Sequence, residues 1–220
     1  MELPFTKAEF FEVLRSYNEM LGPWVLGLIA AGPFVLWACQ RQERSCRRAA
    51  LGVLAFFAAL NGAAYHWMFF TRINQAAWLF GGLFVAQAAL LLLAAWRCPD
   101  VASAPPAISR VAGWPIALYG LVIYGTIGFL CRGAEFVPQF GAAPCPTIIF
   151  MLGVILLLRQ PVPWWLLPIP IIWVVIGGSA AVLLGVPEDY GLIVAGALAL
   201  PMFLLASGKA KASRPLKPSL

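Results

Sequence analysis

Residues 22–48 read GPWVLGLIAAGPFVLWACQRQERSCRR: nineteen positions without a charged side chain, then Arg41, Arg44, Arg47 and Arg48 close together. An apolar run of that length suits a helix crossing the ~30 Å hydrocarbon layer of a bilayer, which takes about 20 residues. A basic cluster directly after it is what keeps a short loop on the cytoplasmic side. The same unit recurs along the chain. Apolar runs fall at roughly 22–40, 49–70, 76–96, 111–131, 143–158, 164–186 and 190–207, with basic residues crowded into every second gap. The pattern predicts an all-α polytopic membrane protein of about seven transmembrane helices, preceded by an amphipathic surface helix over about 7–20. Residues 1–208 read as a single transmembrane domain and 209–220 as a basic cytoplasmic tail.

Composition agrees. Of the 220 residues 62% are hydrophobic and 11% charged, a balance that a soluble domain cannot bury. So little chain lies outside the apolar runs that a soluble catalytic domain has no room. The formal charge of +6 is a matter of sidedness rather than nucleic-acid binding. One set of gaps holds Arg41, Arg44, Arg47, Arg48, Arg97, Arg110, Arg159, Lys209, Lys211, Arg214 and Lys217 against two acids, Glu43 and Asp100. The other holds Lys7, Arg15, Arg72 and Arg132 against seven acids, Glu2, Glu9, Glu12, Glu19, Glu135, Glu188 and Asp189. The amino terminus is therefore expected outside and the carboxyl terminus in the cytoplasm, with anionic inner-leaflet lipid as the partner of the basic tail. The opening Met-Glu-Leu-Pro lacks the basic region and early apolar run of a signal peptide. Cys39, Cys46 and Cys98 fall on the reducing side, which leaves Cys131 and Cys145 as the one pair able to form a disulfide.

Thr6 and Glu9 have the spacing of a capping box, and Phe10, Val13, Leu14, Tyr17 and Leu21 then share a helical face. Such a helix either lies among headgroups or covers the mouth of the bundle. Within the spans, Pro33 should kink the first, while Gly81-Gly82 and Gly177-Gly178 permit close helix packing. Asn61, Tyr65, His66, Gln87, Tyr119, Tyr124 and Thr126 are polar groups that lipid could not satisfy, so they are expected to point into the bundle.

The fifth run departs from the pattern. Thr147–Leu158 supplies 12 residues, about 18 Å of helix, too little to cross ~30 Å. The preceding FGAAPCP, residues 140–146, is poor helix. Non-helical backbone survives at membrane depth only where protein covers it or it lines a wet cavity, so a broken or partly re-entrant element is expected here. Pro161, Pro163, Pro168 and Pro170 make the start of the sixth run irregular as well.

Chemistry, if any, gathers at the external half of that element. Cys145, between two prolines, reads as an N-cap-like thiol whose sulfur can bind a soft cation such as Cu(I) or Hg(II), or attack a disulfide. Cys145, Cys131 and His66 can share one layer as a two-sulfur, one-nitrogen metal site. Asn61, Tyr65, His66, Glu135, Cys145 and Thr147 are the candidate lining of a solute or ion path. No Cys-x-x-Cys spacing supports the metal set, and a lone His beside Tyr65 and Trp67 is commonly a packing residue. The chain has no phosphate-binding loop, nucleophile elbow or dinucleotide fingerprint, and its single histidine excludes bis-histidine haem ligation. The adjacent Glu188 and Asp189 are expected to cap the last helix rather than to act as a catalytic pair.

Four stretches taken together, Leu3-Pro-Phe-Thr with Glu9-Phe-Phe and Tyr17-Asn, Tyr65-His-Trp-Met-Phe-Phe with Ile73-Asn, Ala143-Pro-Cys-Pro-Thr147, and Ile176-Gly-Gly-Ser-Ala-Ala with Gly185-Val-Pro-Glu-Asp, resemble a bacterial integral-membrane family catalogued as domain of unknown function 6064. The resemblance implies a multi-pass protein of the bacterial inner membrane and brings no settled activity. Three expectations follow. The chain is a small permease or transport-accessory protein for a cation or small solute, with an outward-facing cavity and at most a transient soft metal ion; or a membrane thiol-redox enzyme using Cys131 and Cys145; or a non-catalytic scaffold. No catalytic residue or resident cofactor is assigned, and a homo-oligomer is compatible with all three.

Overall fold

The structure, a computed structural model, describes residues 3–212, with side chains as far as Ala206. Among the described residues nine α-helices follow one another: α1 Lys7–Leu21, α2 Trp24–Cys39, α3 Arg44–Leu60, α4 Ala77–Trp96, α5 Ala107–Leu118, α6 Tyr124–Arg132, α7 Pro144–Leu157, α8 Pro168–Leu184 and α9 Tyr190–Ala212. A π-helical stretch, Asn61–Phe69, and a short 3-10 turn extend α3 into a continuous helix of 29 residues ending at Arg72. A second π-helical stretch, Tyr119–Ile123, joins α5 to α6 over 26 residues. No strand forms among the described residues; one backbone bridge, Ser103 with Gln160, ties two turns together.

Each of the seven apolar runs contains helix, but length separates them. Among the described residues five helices are long and apolar enough to cross a membrane: Arg44–Arg72, Ala77–Trp96, Ala107–Arg132, Trp164–Leu184 and Pro187–Ala206. The first run forms only the 16 residues of α2, which bends 88° from α1 across Gly22 and Pro23; taken as one bent span, the pair makes a sixth. The fifth run, α7, has 14 residues and does not reach the length of a crossing.

That short helix is the centre of the molecule. Every residue of α7 except Cys145 is buried. A helix apolar on all sides must be enclosed by protein or by lipid, and here α5, α9, α8, α2 and α3 surround it. The contact of α7 with α5 and the π-helical stretch that follows it is backbone against backbone: a Cβ added at Gly153 would lie 2.8 Å from the Ala117 Cα. A Cβ added at Gly120 would lie 2.7 Å from the Phe150 nitrogen and 2.8 Å from the Pro146 oxygen. Small residues at such a contact let dispersion between main chains replace the hydrophobic drive that lipid does not supply.

The outer surface has the opposite character. Leu26, Leu79, Val122, Leu130 and Val175 stand exposed along the helices, and exposed tryptophans mark their ends: Trp24 and Trp78 toward the α1 end, Trp96 and Trp164 at the far end. Apolar flanks bounded by tryptophan at two levels are what a bilayer with its two interfaces selects. The gaps that the charge pattern set apart also separate in space. Asn18 meets the backbone of Glu135 and Val137, and Arg132 meets Glu188, at the α1 end. Gln40 meets Leu157, Arg44 meets Asp100, and Arg159 meets Ala102 at the far end. The basic tail lies largely outside the described residues, as residues 213–220 and the side chains from position 207 onward are not described.

Candidate functional site

Residues 137–143, the link into α7, run non-helical through the interior: Val137, Pro138, Phe140, Gly141, Ala142 and Ala143 are all buried. A buried loop has main-chain carbonyls that need partners. They find them in side chains from three places. Asn18 of α1 donates to the carbonyls of Glu135 and Val137, each at 2.8 Å, and the Tyr17 hydroxyl donates to Ala142 at 3.2 Å. The Asn61 amide donates to Gly141 at 3.1 Å, and the Thr147 hydroxyl to Ala143 at 2.7 Å. Gly141 has φ +77°, and a Cβ there would press on the Phe57 ring at 3.0 Å, so both the turn and the packing require glycine. The unwound, protein-covered element expected from the sequence is thus present, and α1 is one of its clamps.

Asn61 begins the π-helical stretch. Widening the helix to an i→i−5 pattern leaves room for His66 to turn inward, with Nδ1 2.8 Å from the Asn61 carbonyl. Because that carbonyl can only accept, the hydrogen bond assigns the proton to Nδ1 and leaves Nε2 as a bare acceptor, which has no partner among the described residues. Phe80, Phe84 and Trp173 enclose the ring, the nearest centroid at 5.0 Å.

Beside this aromatic box, under α1, lies a cavity of about 140 Å³. Leu3, Phe5, Phe10 and Leu14 roof it. Tyr65, Phe80 and Trp173 form one wall, and Tyr124, Cys145 and Asp189 form the floor. Asp189 is 5% exposed and accepts a 2.6 Å hydrogen bond from the Tyr124 hydroxyl. Cys145 lines this cavity together with Asp189 and Trp173. Next to Asp189, Glu188 is fully buried and ion-paired with Arg132, while the Glu188 carbonyl accepts from Tyr119 at 2.9 Å. When ionised, Arg132, Glu188 and Asp189 therefore leave one negative charge uncompensated, and it belongs to the residue on the cavity floor.

The expected site residues divide accordingly. Asn61, Tyr65, His66, Thr147 and Cys145 gather at the α1 end of α7, with Tyr65 and Cys145 on the cavity itself. Glu135 does not join them. Its side chain is exposed on the short turn Ala134–Phe136, and only its backbone carbonyl is engaged. Nor does the metal set assemble. Cys131 is exposed on α6, His66 is locked in the aromatic box, and no three His, Cys, Asp or Glu side chains converge on a metal-sized point among the described residues. Both Cys131 and Cys145 are free thiols.

Two further readings need correction. The N-cap of α7 is Ala143, so Cys145 lies within the first turn rather than at the cap. Glu188 and Asp189 lie on the short 3-10 turn that leads into α9, where a cap would stand, but they are buried and held by Arg132 and Tyr124 rather than set on an open outer turn. Of the polar span residues, Gln87 points inward to the Leu166 carbonyl at 3.0 Å, whereas Thr126 faces out and returns its hydroxyl to Val122. Sequence reading missed Asp189 and Trp173 as cavity residues. The usable signal for the acid was charge: Arg132 and Glu188 lie in gaps assigned to one side and carry opposite signs.

The fold and site define a class: an all-helical protein built for a membrane, with a covered polar-floored cavity at one end of a bundle wound around a short buried helix. Within that class the chain belongs to the family of unknown function DUF6064, which it matches over residues 7–214. No curated protein and no solved structure matches it.

Proposed function

We propose that the protein is a small permease, or the binding component of one, that admits a small monovalent cation with apolar substituents to the cavity beneath α1. The observation that carries this reading is Asp189, an uncompensated carboxylate on the floor of a cavity otherwise walled by Phe80, Tyr65 and Trp173. Ring faces and one carboxylate suit an alkylammonium ion: the rings attract the cation and tolerate its methyl groups, and the carboxylate supplies the countercharge. A soft metal ion is a poorer match, because the sulfur and nitrogen ligands do not converge. In this reading the chain crosses the bacterial inner membrane seven times, α7 serving as a protein-covered broken span. The amino terminus and the cavity face outward and the carboxyl terminus faces the cytoplasm, in accord with the acid-rich α1 end.

The test is saturable binding of tetramethylammonium to purified protein in lipid nanodiscs, by calorimetry, followed by flux into proteoliposomes. Asp189→Asn is expected to weaken binding by at least tenfold, about the 1.4 kcal/mol expected for losing a close countercharge. Absence of saturable binding in wild type, or equal affinity in the variant, refutes the assignment. The thiol-redox alternative has one observation in its favour, the placement of Cys145 on the cavity with Asp189. It requires a reducible Cys131–Cys145 bond and loss of turnover in each single Cys→Ser variant.

A further inference from the structure

At the end opposite α1, three arginines from separate parts of the chain line one pocket. Arg47 of α3, Arg97 after α4 and Arg159 after α7 line a space of about 240 Å³, and no acidic side chain lines it with them. Arg47 is 2% exposed. One of its terminal nitrogens donates to the backbone carbonyls of Pro99 and Asp100, at 2.6 and 3.2 Å, while its Nε has no partner among the described residues. Arg159 donates twice to the Ala102 carbonyl, and Arg97 forms no ion pair among the described residues. Asp100, which follows Pro99 of the lining, turns its side chain outward to Arg44 at 2.8 Å.

Burying a cation without a counter-ion is costly. Three arginines around one pocket, one of them buried with an unused donor, form an arrangement that an anion completes. We infer that this pocket binds the phosphate of an anionic phospholipid headgroup. Guanidinium forks match phosphate oxygens in pairs, which a single lysine does not. A lipid is favoured over free phosphate by the rest of the lining. Leu51, Ala94, Leu158, Pro163 and Leu166 offer apolar contact for a glycerol backbone and the first methylenes of its chains. The pocket also lies at the level of Trp96 and Trp164, exposed beside Arg97 and Pro163 and placed as headgroup-level tryptophans are. Basic pockets between membrane helices are where anionic headgroups are held. The site is separate from the cavity beneath α1 and stands whatever that cavity binds.

The experiment is native mass spectrometry of the full chain released from detergent, titrated separately with phosphatidylglycerol, phosphatidylcholine and inorganic phosphate. One phosphatidylglycerol is expected to stay bound. Arg97→Gln and Arg159→Gln should each weaken it about fivefold, and together about 25-fold, following ~1 kcal/mol per basic residue. Arg110→Gln, an exposed cation of α5 outside the pocket, should leave retention unchanged. Equal retention of phosphatidylcholine, or equal loss in Arg110→Gln, overturns the site in favour of diffuse surface attraction. Competition by millimolar phosphate at lipid-like affinity overturns the lipid and leaves a soluble phosphate as the ligand. Because Arg97 is exposed, its variant should fold, and unchanged binding in a folded Arg97→Gln protein ends the proposal.

Discussion

Replacing Asn61 by leucine, which has the same branched skeleton of heavy atoms, tests whether the unwound link into α7 is sealed from water. The amide of Asn61 donates to Phe57 at 2.8 Å and to Gly141 at 3.1 Å. The two carbonyls would fare differently. Phe57 keeps the backbone N–H of Asn61 as a partner, so its loss is that of an ordinary intramembrane hydrogen bond, about 0.6 kcal/mol. Gly141 has no other donor among the described residues and would be left buried and bare, at about 1–3 kcal/mol. Removing Oδ1, itself without a partner among the described residues, offsets a fraction of this. The expected net loss is about 2–3 kcal/mol, a large share of a typical ~5–15 kcal/mol stability. Reversible unfolding in mixed micelles, followed by circular dichroism, measures it. Adding Thr147→Val should give a coupling of about 0.5–1 kcal/mol, because Thr147 touches Asn61 at 3.4 Å and holds the neighbouring Ala143 carbonyl. A loss near 1 kcal/mol, the sum for two ordinary bonds, would mean that water reaches Gly141 and that the link is not sealed.

Other consequences follow from the same geometry. Arg132→Ala strands Glu188 as a buried lone charge and should cost about 3–5 kcal/mol in the same unfolding assay; adding Glu188→Gln should recover most of it, and an unrescued double variant would show that Arg132 acts through packing on Phe11 instead. The Thr6 backbone N–H and hydroxyl hold the Glu9 carboxyl below its ordinary value of 4.5. Its contribution to α1 is therefore complete above the unfolded value and is lost as pH falls through the lowered one. The hydrogen-exchange protection of α1, corrected for the intrinsic pH dependence of amide exchange and read from pH 6 to pH 3, should fall only once the pH drops below the ordinary carboxyl value of 4.5, and a Glu9→Ala protein should show no such step. Cys131 is exposed whereas Cys145 lies under the α1 roof. In intact spheroplasts an impermeant maleimide should label a Cys131-only protein from outside within minutes and a Cys145-only protein far more slowly; labelling of Cys131 only after lysis reverses the topology.

What could be read from the sequence is what depends on local length and polarity. The apolar runs gave the helices, and the 12 residues from Thr147 to Leu158 foretold a helix too short to stand alone. Asn61, Tyr65, His66 and Gln87 sit inside apolar runs, so lipid avoidance alone turned them inward. What could not be read depends on distant partners. The Tyr124–Asp189 bond joins positions 65 residues apart, and no periodicity announces it. An acid pair after a proline has the local look of a helix cap whether or not Arg132 waits beside it. Thr126 was misjudged for a related reason: a threonine can satisfy its own helix at Val122 and face outward at no cost in unpaired groups. The aromatic box of His66 draws on α4 and α8 as well as its own helix, a convergence that only the packed bundle creates.

The same residues that close the fold also close the cavity, and this limits how the site can be reached. Phe10 and Leu14 roof the cavity from one face of α1, while Tyr17 and Asn18, one turn on, hold the unwound link by three hydrogen bonds. Lifting α1 therefore breaks those bonds, at about 0.5–1.5 kcal/mol each, and bares part of the α1 apolar face at about 25 cal/mol per Å². The hydrogen bonds alone make the open state roughly ten- to a thousandfold rarer than the closed one. A hinge is available at Gly22, whose φ of +49° and neighbouring Pro23 set the 88° bend between α1 and α2. On the function proposed above, an entering ligand would have to recover more from Asp189 and the rings than the roof loses. A helix that served only as a surface anchor would have no reason to spend Tyr17 and Asn18 on a link that the bundle buries.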